Sequence, residues 1–406
     1  MRCGLLGKTL AHSYSPQIHK FLGNYSYELF EKQPEEIADF LKYGNFSGIN
    51  VTIPYKKDVI PYCNELTACA RALGSVNTIV RRPDGTLIGH NTDYFGFQYM
   101  VTKAGLSVAG KKVLVLGSGG ASVTAVAVLE NMGAEVIVVS RSGTNNYNNL
   151  YMHSDAAVIV NATPVGMYPH AGTSPVGLDQ FPQLEGVLDI VYNPARTKLL
   201  LDAEARRIPY ENGLSMLVAQ AKEAAEWFTG NQINDSVIGN IHQVLRKQME
   251  NIVLVGMPGC GKSTIGQLLA EATGKQFIDA DAEIVQAAEM SIPEIFANEG
   301  EAGFRCWETK TLEQIGQQSG LVIATGGGCV TRKENYPLLH QNGTIYWLQR
   351  DINALPTDGR PLSQGGQLEQ MWQLRRPLYE NFADYVIDNN GQLDDAVNEI
   401  LKGFKL

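Results

Sequence analysis

The hydrophobic positions along the chain form two short apolar runs that each end at a glycine-rich turn. One run is KVLVL, at residues 112–116, and the other is NIVLV, at residues 251–255. Helix-forming residues follow each turn, a pattern typical of a buried parallel strand, a turn and a helix. We therefore expect an α/β fold with parallel sheets. The glycine spacing differs between the two turns, so they are not repeats of one unit.

A long helical pattern separates the two runs and covers about residues 214–245. The apolar positions at helical spacing are Leu214, Leu217, Val218, Ala221, Ala225 and Phe228, and Ile241, Val244 and Leu245 follow after a break. The polar run RKQMEN then leads directly into the second apolar run, with no stretch rich in Pro, Gly or Ser between them. We predict a domain boundary near Met249, crossed by a stiff junction.

Composition narrows the class of protein. The 406 residues suggest two to four domains, and 44% apolar with 18% charged residues exclude a disordered or fibrous chain. The formal net charge is 33 − 42 = −9, which argues against a dedicated nucleic-acid binder. We expect small-molecule substrates as partners.

The cysteines and the apolar stretches bear on location. Six cysteines lie scattered without a CxxC pair, which fits a reducing compartment better than a disulfide framework or a zinc site. The N-terminal residues show no signal-peptide pattern. The uncharged stretch 113–129 has glycines in its middle, which suits a strand–turn–helix and not a membrane span. We expect a cytoplasmic protein that binds no membrane.

The turn after the second apolar run matches the phosphate-binding pattern G-x-x-x-x-G-K-[ST]. Backbone N–H groups curl around phosphate in such a loop, the lysine reaches the β- and γ-phosphates, and the hydroxyl ligates Mg²⁺. The alternative is a chance match on a glycine-rich turn. Thr264 extends the helix start without an assigned role. The predicted ATP-binding residues are Gly256, Gly259, Cys260, Gly261, Lys262, Ser263 and Thr264.

Two acids follow the next apolar strand. Asp279 and Asp281 alternate, and alternate residues share a face of an extended strand, so we expect both carboxylates in one cleft. In phosphoryl transfer, one acid can hold Mg²⁺ and another can orient or deprotonate the acceptor hydroxyl. The alternative is an acidic loop in which Asp281 is the N-cap of the next helix.

Three arginines and a glycine triplet add to this region. Arg305, Arg360 and Arg375 are candidates to grip a carboxylate or phosphate, although each alone would be a surface residue more often. The triplet 326–328 follows an apolar run, where glycine lets a ligand approach the backbone; the alternative is a tight turn.

Residues from about 251 to 402 resemble shikimate kinase. The runs GMPGCGKST, DAD, GFRCWE, TGGG, GRPL and RRPLY occur in family order. The resemblance implies a P-loop, nucleoside-monophosphate-kinase-like fold and ATP-dependent phosphorylation of the 3-hydroxyl of shikimate. By the same resemblance, Asp281, Arg305 and Arg375 would bind shikimate in a pocket lined by Gly327 and Gly328. Arg360 would stabilise the transferring phosphoryl group from a lid, and Asp279 would belong to the Mg²⁺ shell.

The lid departs from the family pattern. Many relatives carry a further basic residue just before the lid arginine, whereas Pro356 and Asp358 occupy that stretch here. This changes the expected lid contacts to ATP and leaves the class of reaction unchanged.

The turn after the first apolar run is a near-match to the dinucleotide-binding fingerprint. Its residues are Gly117, Ser118, Gly119, Gly120, Ala121 and Ser122. The next predicted strand ends at Ser140 and Arg141 instead of the acid that usually binds the ribose of NAD, which favours NADP. The alternative is that Arg141 is a solvated strand end.

Small hydroxyl and amide side chains are frequent in the first hundred residues, and they suit a polyhydroxylated ligand because each buried polar group must be paired. Lys56 and Asp93 lie among them, and such a pair suits proton transfer to a carbonyl oxygen during hydride delivery. Taken singly, Ser13 is typical of a turn residue, Asn77 of a buried amide, Asp93 of a helix cap and Lys56 of a surface charge.

In combination, about residues 1–248 resemble shikimate dehydrogenase. The runs SYSP, NVTIPYK, VNT, NTD, GSGGAS, NATPVGM, DIVYNP and NGLSMLVAQA occur in family order. The resemblance implies reversible reduction of 3-dehydroshikimate to shikimate with NADPH, and Lys56 and Asp93 as the catalytic pair. The substrate would be held by Ser13, Ser15, Thr52, Asn77 and Asn91. Tyr192 and Gln220 would close the pocket, with Gly213 and Met216 near the nicotinamide.

One departure concerns the cofactor segment. Relatives place a helix and a strand after Ser140, whereas residues 141–156 are few and turn-like. Asn145 stands near the place of the family's second arginine. We therefore expect a reduced adenosine side of the pocket.

These inferences combine into one α/β prediction. A two-lobed dehydrogenase at 1–248 has a substrate lobe at about 1–100 with a returning helix at about 214–245, and a Rossmann-like NADP lobe at about 101–213; a kinase follows at 249–406. The predicted function is bifunctional, with NADP(H), ATP and Mg²⁺ as cofactors. The alternatives are a shikimate kinase with a redox-inactive binding or regulatory N-terminal module, and a quinate-preferring reductase.

Overall fold

The computed structural model describes residues 1–10, 13–355 and 367–403. The chain forms two compact units. The first consists of Met1–Gly166, Thr173–Tyr192 and Asp202–Gln243, and the second of Met167–Gly172, Asn193–Leu201 and Val244–Leu406.

A mixed six-stranded sheet begins the first unit, in the order β2-β1-β3-β5-β6-β4. Its strands are β1 (Arg2–Gly7), β2 (Ser26–Glu31), β3 (Gly48–Val51), β4 (Glu65–Leu66), β5 (Thr78–Arg81) and β6 (Leu87–His90). The helices are α1 (Ser15–Leu22), α2 (Ile37–Tyr43) and α3 (Ala68–Leu73). Strand β5 runs antiparallel to both β3 and β6, which brings the chain after β6 back beside the end of β3.

A parallel five-stranded sheet follows in the same unit, in the order β11-β10-β9-β7-β8. Its elements are α4 (Asp93–Lys103), β7 (Lys112–Leu116), α5 (Gly120–Asn131), β8 (Glu135–Val139), β9 (Val158–Asn161), β10 (Gly186–Asp189) and β11 (Tyr210–Asn212). Between β8 and β9 lies one short 3-10 helix, Leu150–His153. The expected turn-like segment is therefore confirmed.

Helix α7 (Leu214–Thr229) returns to the first sheet. Phe228 packs with Cys3 in a buried cluster, and a Cβ on Gly48 of β3 would lie 2.3 Å from the Phe228 ring. Gly96 of α4 lets α7 approach closely, since a Cβ there would lie 2.7 Å from the Met216 carbonyl oxygen. This packing carries Gln220 to the substrate lobe.

The second unit holds a parallel five-stranded sheet in the order β13-β14-β12-β15-β16. Its strands are β12 (Asn251–Val255), β13 (Gln276–Asp279), β14 (Leu321–Ala324), β15 (Gly343–Gln349) and β16 (Tyr385–Asp388). Its helices are α9 (Lys262–Thr273), α10 (Ala280–Ala288), α11 (Ile292–Gly316), α12 (Asn335–His340), α13 (Gln367–Phe382) and α14 (Leu393–Lys402). The predicted fold class is confirmed in both halves.

Two helices contain the points where the chain changes units. Helix α6 (Lys198–Ala205) contains one of them, and helix α8 (Ser236–Met249) contains another. Only Glu250 separates α8 from β12, so no flexible linker lies there. Across the described ranges, no helix combines the length and the apolar character that a membrane crossing needs.

Candidate active sites

Lys56 and Asp93 form an ion pair in the first unit, with Nζ 2.6 Å from Oδ2. Asp93 is the first residue of α4, and Lys56 lies in the turn after β3. The Lys56 side chain is 30% exposed, so a ligand can reach the ammonium group. The structure thus brings together two predicted residues that lie far apart in sequence.

Asn77 fixes the other oxygen of the same carboxylate. Its Nδ2 donates to Asp93 Oδ1 at 2.9 Å, and its Oδ1 accepts the backbone N–H of Thr92 at 2.7 Å. Thr92 is fully buried, and its Oγ1 lies 3.4 Å from Gln220 Oε1. Sequence reasoning missed Thr92, although its position directly before Asp93 in the NTD run was a usable signal.

Asn91 turns its amide away from the ion pair. Its Nδ2 donates to the Ser75 carbonyl and hydroxyl at 3.0 and 2.8 Å, and its Oδ1 accepts the backbone N–H of Asp93 at 3.0 Å. Its polar atoms therefore hold the start of α4. Its contact with substrate stays a prediction, and the geometry favours a role in positioning Asp93.

Ser13 and Ser15 lie at the start of α1, the helix that also carries His19. Ser13 Oγ accepts the backbone N–H of Ser15, where α1 begins, at 3.2 Å. Tyr27 donates its hydroxyl to Asn50 Oδ1 at 2.7 Å, and the His19 ring stacks on Tyr27 at 3.9 Å. Burial lowers the pKa of His19 to about 3, which keeps the imidazole neutral beside these groups.

The remaining predicted substrate residues come from separate elements. Thr52 is partly exposed just after β3, with its backbone N–H donating to the Leu6 carbonyl at 2.9 Å. The Tyr192 ring meets the Tyr14 ring edge-on, with the centroids 6.3 Å apart. Burial raises the pKa of Tyr192, so the phenol stays protonated at neutral pH.

The glycine turn after β7 exposes the start of α5. Gly117 has a φ of +108° and lies against the backbone of Ala162, so the turn needs glycine there. A Cβ on Gly119 or Gly120 would meet open space. Gly119 is the N-cap of α5 and makes no side-chain cap. Helix N–H groups and the positive end of the helix dipole are thus available to a pyrophosphate beside Ser118 and Ala121.

A tight turn follows β8 where the ribose phosphate is expected. The backbone N–H of Ser140 donates to the Asn145 carbonyl at 3.1 Å, and that of Gly143 donates to the Ser140 carbonyl at 3.3 Å. Arg141 is exposed at the tip. A cation and hydroxyls in this position fit the 2′-phosphate of NADP.

Gly213 is fixed by packing at the end of β11. A Cβ there would lie 1.9 Å from the carbonyl oxygen of Ile190, so only glycine fits. Its backbone N–H donates to the Val191 carbonyl at 3.2 Å. Met216, one turn into α7, is buried in the core of the second sheet. Their predicted proximity to a nicotinamide stays a prediction.

The loop between β12 and α9 folds as a phosphate cradle. Gly256, Gly259 and Gly261 all have positive φ, and Lys262 donates its ammonium protons to the Gly256 and Met257 carbonyls at 2.8 and 3.1 Å. Asn389 donates to the Cys260 carbonyl at 2.6 Å. Asn389 was not found from sequence because it follows β16, far along the chain.

Ser263 and Asp279 bring two hard oxygen groups to the cradle. Ser263 Oγ donates to Asp279 Oδ2 at 2.8 Å, and both belong to the set predicted for Mg²⁺. Mg²⁺ is usually held by one or two carboxylates together with waters and substrate phosphates, so this pair fits the ion. Among the described residues no cluster of three His, Cys, Asp or Glu forms a metal site. Thr264 is exposed on the first turn of α9.

The expectation that Asp279 and Asp281 share one extended strand is wrong. Strand β13 ends at Asp279, which is the N-cap of α10 and accepts the backbone N–H of Asp281 at 3.0 Å. Asp281 therefore lies in the first helical turn and is not the cap. The aspartate stops the strand because its carboxylate satisfies a helix N–H.

A buried charged cluster surrounds Asp281. Arg305 Nη1 pairs with Glu308 Oε2 at 2.7 Å. Burial raises the pKa of Asp281, and neighbouring Asp279 raises it further, while Lys262 and Arg305 act in the opposite direction. Burial also raises the pKa of Glu308, which sequence reasoning missed.

Two carboxylate oxygens in this cluster converge on one glycine. Asp281 Oδ1 and Glu308 Oε1 each lie 2.8 Å from the position of a Cβ on Gly326. Both are buried and lack a hydrogen-bond partner within the described part of the chain. Buried acceptors of this kind are normally paired, so this point is a candidate for contact with the hydroxyl groups of a ligand.

The glycine triplet lies against two predicted arginines. A Cβ on Gly328 would lie 2.1 Å from Arg305 Nη2, and the Gly327 carbonyl accepts Arg375 Nη1 at 3.1 Å. The Tyr379 hydroxyl also donates to that carbonyl. Arg360, with its neighbours Pro356 and Asp358, lies outside the described residues.

Comparison with known proteins gives matches to both halves. The family model for shikimate kinase matches residues 258–405, and that for the shikimate dehydrogenase substrate binding domain matches residues 5–79. The shikimate dehydrogenase (NADP(+)) of Caldicellulosiruptor saccharolyticus is 33% identical over 277 residues, which covers 60% of this chain and 98% of that protein.

Solved structures agree. Shikimate dehydrogenase 1 from Peptoclostridium difficile matches with a TM-score of 0.56 at 34% identity, over 60% of this chain and 97% of that one. Shikimate 5-dehydrogenase from Thermus thermophilus, solved with NADP(H) and shikimate, matches with a TM-score of 0.54 at 30% identity, over 60% of this chain and 99% of that one. The chain thus belongs to the shikimate dehydrogenase family and carries a shikimate kinase domain at residues 258–405, which makes it a bifunctional enzyme of the shikimate pathway.

Proposed function

We propose that the first unit reduces 3-dehydroshikimate to shikimate, with Lys56 as the group that delivers a proton to the carbonyl oxygen. The observation that carries this is the Lys56–Asp93 ion pair at 2.6 Å, because Asn77 holds the second carboxylate oxygen and so fixes the pair. NADPH supplies the hydride. As negative charge develops on the carbonyl oxygen, the Lys56 ammonium stabilises it and donates its proton.

The substrate's other groups have partners nearby. Ser13 and Ser15 offer hydroxyls for its carboxylate, and Thr52 and Asn77 offer polar groups for its hydroxyls. Gln220 reaches the same region on α7, next to Thr92. The bound cofactor would have its pyrophosphate at the N-terminus of α5 and its 2′-phosphate at Arg141, as the exposed glycines and the exposed guanidinium support.

The second unit, we propose, then phosphorylates the shikimate hydroxyl. Lys262 exchanges its two carbonyl partners for phosphate oxygens of ATP, and Ser263 with Asp279 holds Mg²⁺. Asp281 accepts a hydrogen bond from the attacking hydroxyl and takes up its proton, a role that the unpartnered Oδ1 supports. Arg305 and Arg375 bind the substrate carboxylate. The role of Arg360 in stabilising the phosphoryl group stays a prediction.

A single-pot assay tests both steps in the full chain. Protein is mixed with 3-dehydroshikimate and NADPH, and Mg-ATP is added later, with NADPH followed optically and shikimate 3-phosphate by mass. We expect NADPH to be consumed at once and the phosphate to appear only after ATP. Phosphorylation of added shikimate without NADPH consumption would refute the reductase.

One observation favours a redox-inactive binding module as the second candidate. The cofactor segment between β8 and β9 holds only a short 3-10 helix. Titration of the full chain with NADPH, followed by the cofactor's fluorescence, tests this candidate, since a module that has lost the cofactor site would not saturate. Quinate offered with NADP⁺ and with NAD⁺ in the same assay tests the quinate-preferring interpretation.

A further inference from the structure

A short segment from the dehydrogenase half belongs structurally to the kinase unit. Residues 193–197, here called the docking segment, lie within Asn193–Leu201 of the second unit, whereas Tyr192 directly before them ends a stretch of the first. We propose that the turn 340–343 of the kinase unit is a docking site for this segment, and that docking sets how well the dehydrogenase binds its substrate.

The docking site is the end of a helix whose carbonyl groups need donors. Helix α12 ends at His340, and the last carbonyls of a helix have no partner within it. Arg196 supplies them: its backbone N–H donates to the Gln341 carbonyl at 2.8 Å, and Nη1 donates to the His340 carbonyl at 2.7 Å. Nη1 also lies 3.3 Å from the Gly343 carbonyl. A cation at a helix C-terminus is further favoured by the helix dipole.

Asn342 adds a rigid acceptor to the same site. Its Oδ1 accepts the backbone N–H of Ala195 at 2.8 Å, while its Nδ2 donates to the Gly316 carbonyl at 3.1 Å. Its backbone carbonyl accepts the N–H of Asn251 at 2.8 Å, at the start of β12. The acceptor is thereby tied to the sheet that carries the phosphate cradle.

The polar character of this turn fits a buried contact and not a solvent-facing loop. His340, Gln341 and Asn342 are 3%, 5% and 4% exposed, three consecutive buried polar residues that require hydrogen bonds. The docking segment gives backbone and guanidinium donors to all three. The contact therefore has a matched set of donors and acceptors.

The functional consequence follows from chain continuity and rests on the proposed function of Tyr192. Tyr192 precedes Asn193, and the resemblance to shikimate dehydrogenase implies that it closes the substrate pocket. Because Ala195 and Arg196 are held by hydrogen bonds to His340, Gln341 and Asn342, the backbone of Tyr192 has little freedom. Undocking releases it, which weakens closure over 3-dehydroshikimate and leaves the Lys56–Asp93 pair unchanged.

Arg196→Met in the full chain tests the proposal, with Arg376→Met as the matched control. Arg376 is an exposed arginine that pairs with Glu380 at 2.9 Å on α13. We expect amide hydrogen exchange at Ala195 and Arg196 to quicken about tenfold, which corresponds to the loss of one charged hydrogen bond. The KM for 3-dehydroshikimate should rise by a similar factor of about ten, while kcat changes less than about twofold. The kinase KM for ATP should not change.

The outcomes separate the possible failures. Unchanged amide hydrogen exchange at Ala195 and Arg196 would contradict the docking. Faster exchange with an unchanged KM for 3-dehydroshikimate would contradict the proposed effect of docking on substrate binding. If Arg196→Met also damages the kinase, Arg196→Lys carries the test, since it keeps a donor and should raise KM less. Absence of any reductase activity in the wild-type chain refutes the proposed function instead, and exchange still reports on docking.

Discussion

The two lysines assigned to chemistry are held in opposite ways. Lys56 pairs with a carboxylate from another element at 2.6 Å, and its side chain is 30% exposed. Lys262 is 8% exposed and donates to carbonyls of its own loop. The dehydrogenase site thus depends on tertiary packing that brings distant residues together, whereas the kinase cradle is largely a local backbone structure. A short sequence motif can therefore identify the kinase cradle, whereas the dehydrogenase pair is assembled only by the fold.

The largest expected effect comes from breaking the side-chain pair. Lys56→Met removes the proton donor and the charge that stabilises the developing oxyanion, so kcat for reduction should fall by about 10²–10⁴. Phosphorylation of added shikimate should continue at the wild-type rate. Lys57→Met is the control because Lys57 is an exposed neighbour. Near-normal reduction by Lys56→Met, measured as NADPH consumption, contradicts its role.

The reciprocal change sharpens the comparison from the kinase side. Lys262→Met removes the cation that balances phosphate charge, and we expect kcat for phosphorylation to fall by about 10²–10³. Reduction should be unaffected. Lys333→Met changes a lysine of the same unit that has no assigned role, and it should leave both activities intact. Equal loss of both activities in Lys262→Met would show that the cradle holds the fold together instead of serving one reaction.

The smallest effect is the contribution of His19 to the pH dependence of stability in the dehydrogenase half. His19 has a pKa of about 3 in the fold against an ordinary 6.5. Below pH 6.5 the His19 imidazole takes up a proton in the unfolded chain but stays neutral in the folded one. Its contribution to the free energy of unfolding is therefore fully present above pH 6.5 and is lost progressively as the pH falls toward 3. Between pH 7 and pH 5 this residue should cost about 2 kcal/mol of unfolding free energy.

Pulse proteolysis in urea at the two pH values measures this for each half separately. His19→Gln should make the pH dependence of the first unit shallower, and His153→Gln, in the short 3-10 helix, should not. An identical pH dependence in wild type and His19→Gln would show that other groups set acid stability.

The sequence predicted best where function depends on local backbone. The phosphate loop, its strand and its helix are contiguous in sequence. The motif therefore predicted correctly that Lys262 and Ser263 lie at the start of the helix. The capping role of Asp279 was missed because strand and helix patterns are equally compatible with a D-A-D run. Only the observed capping bond decides between them.

Contacts between distant segments were the least predictable. Glu308 shares a helix with Arg305, but its burial depends on how that helix packs. Asn91 looked equivalent to Asn77 because both are small amides beside a strand. The fold turns one toward Asp93 Oδ1 and the other toward Ser75. No periodicity or motif in residues 193–197 signals that they join the kinase unit.

The hydrogen bond from Arg196 to His340 also has a consequence for synthesis on the ribosome. The two residues are 144 positions apart, so the acceptor emerges long after the donor. At about 5–20 residues per second, translation alone imposes a delay of roughly 7–30 seconds. During that interval the nascent dehydrogenase half has its own sheets but lacks this anchor. The order of the two halves along the chain thus places the formation of this contact after the synthesis of the kinase residues up to His340.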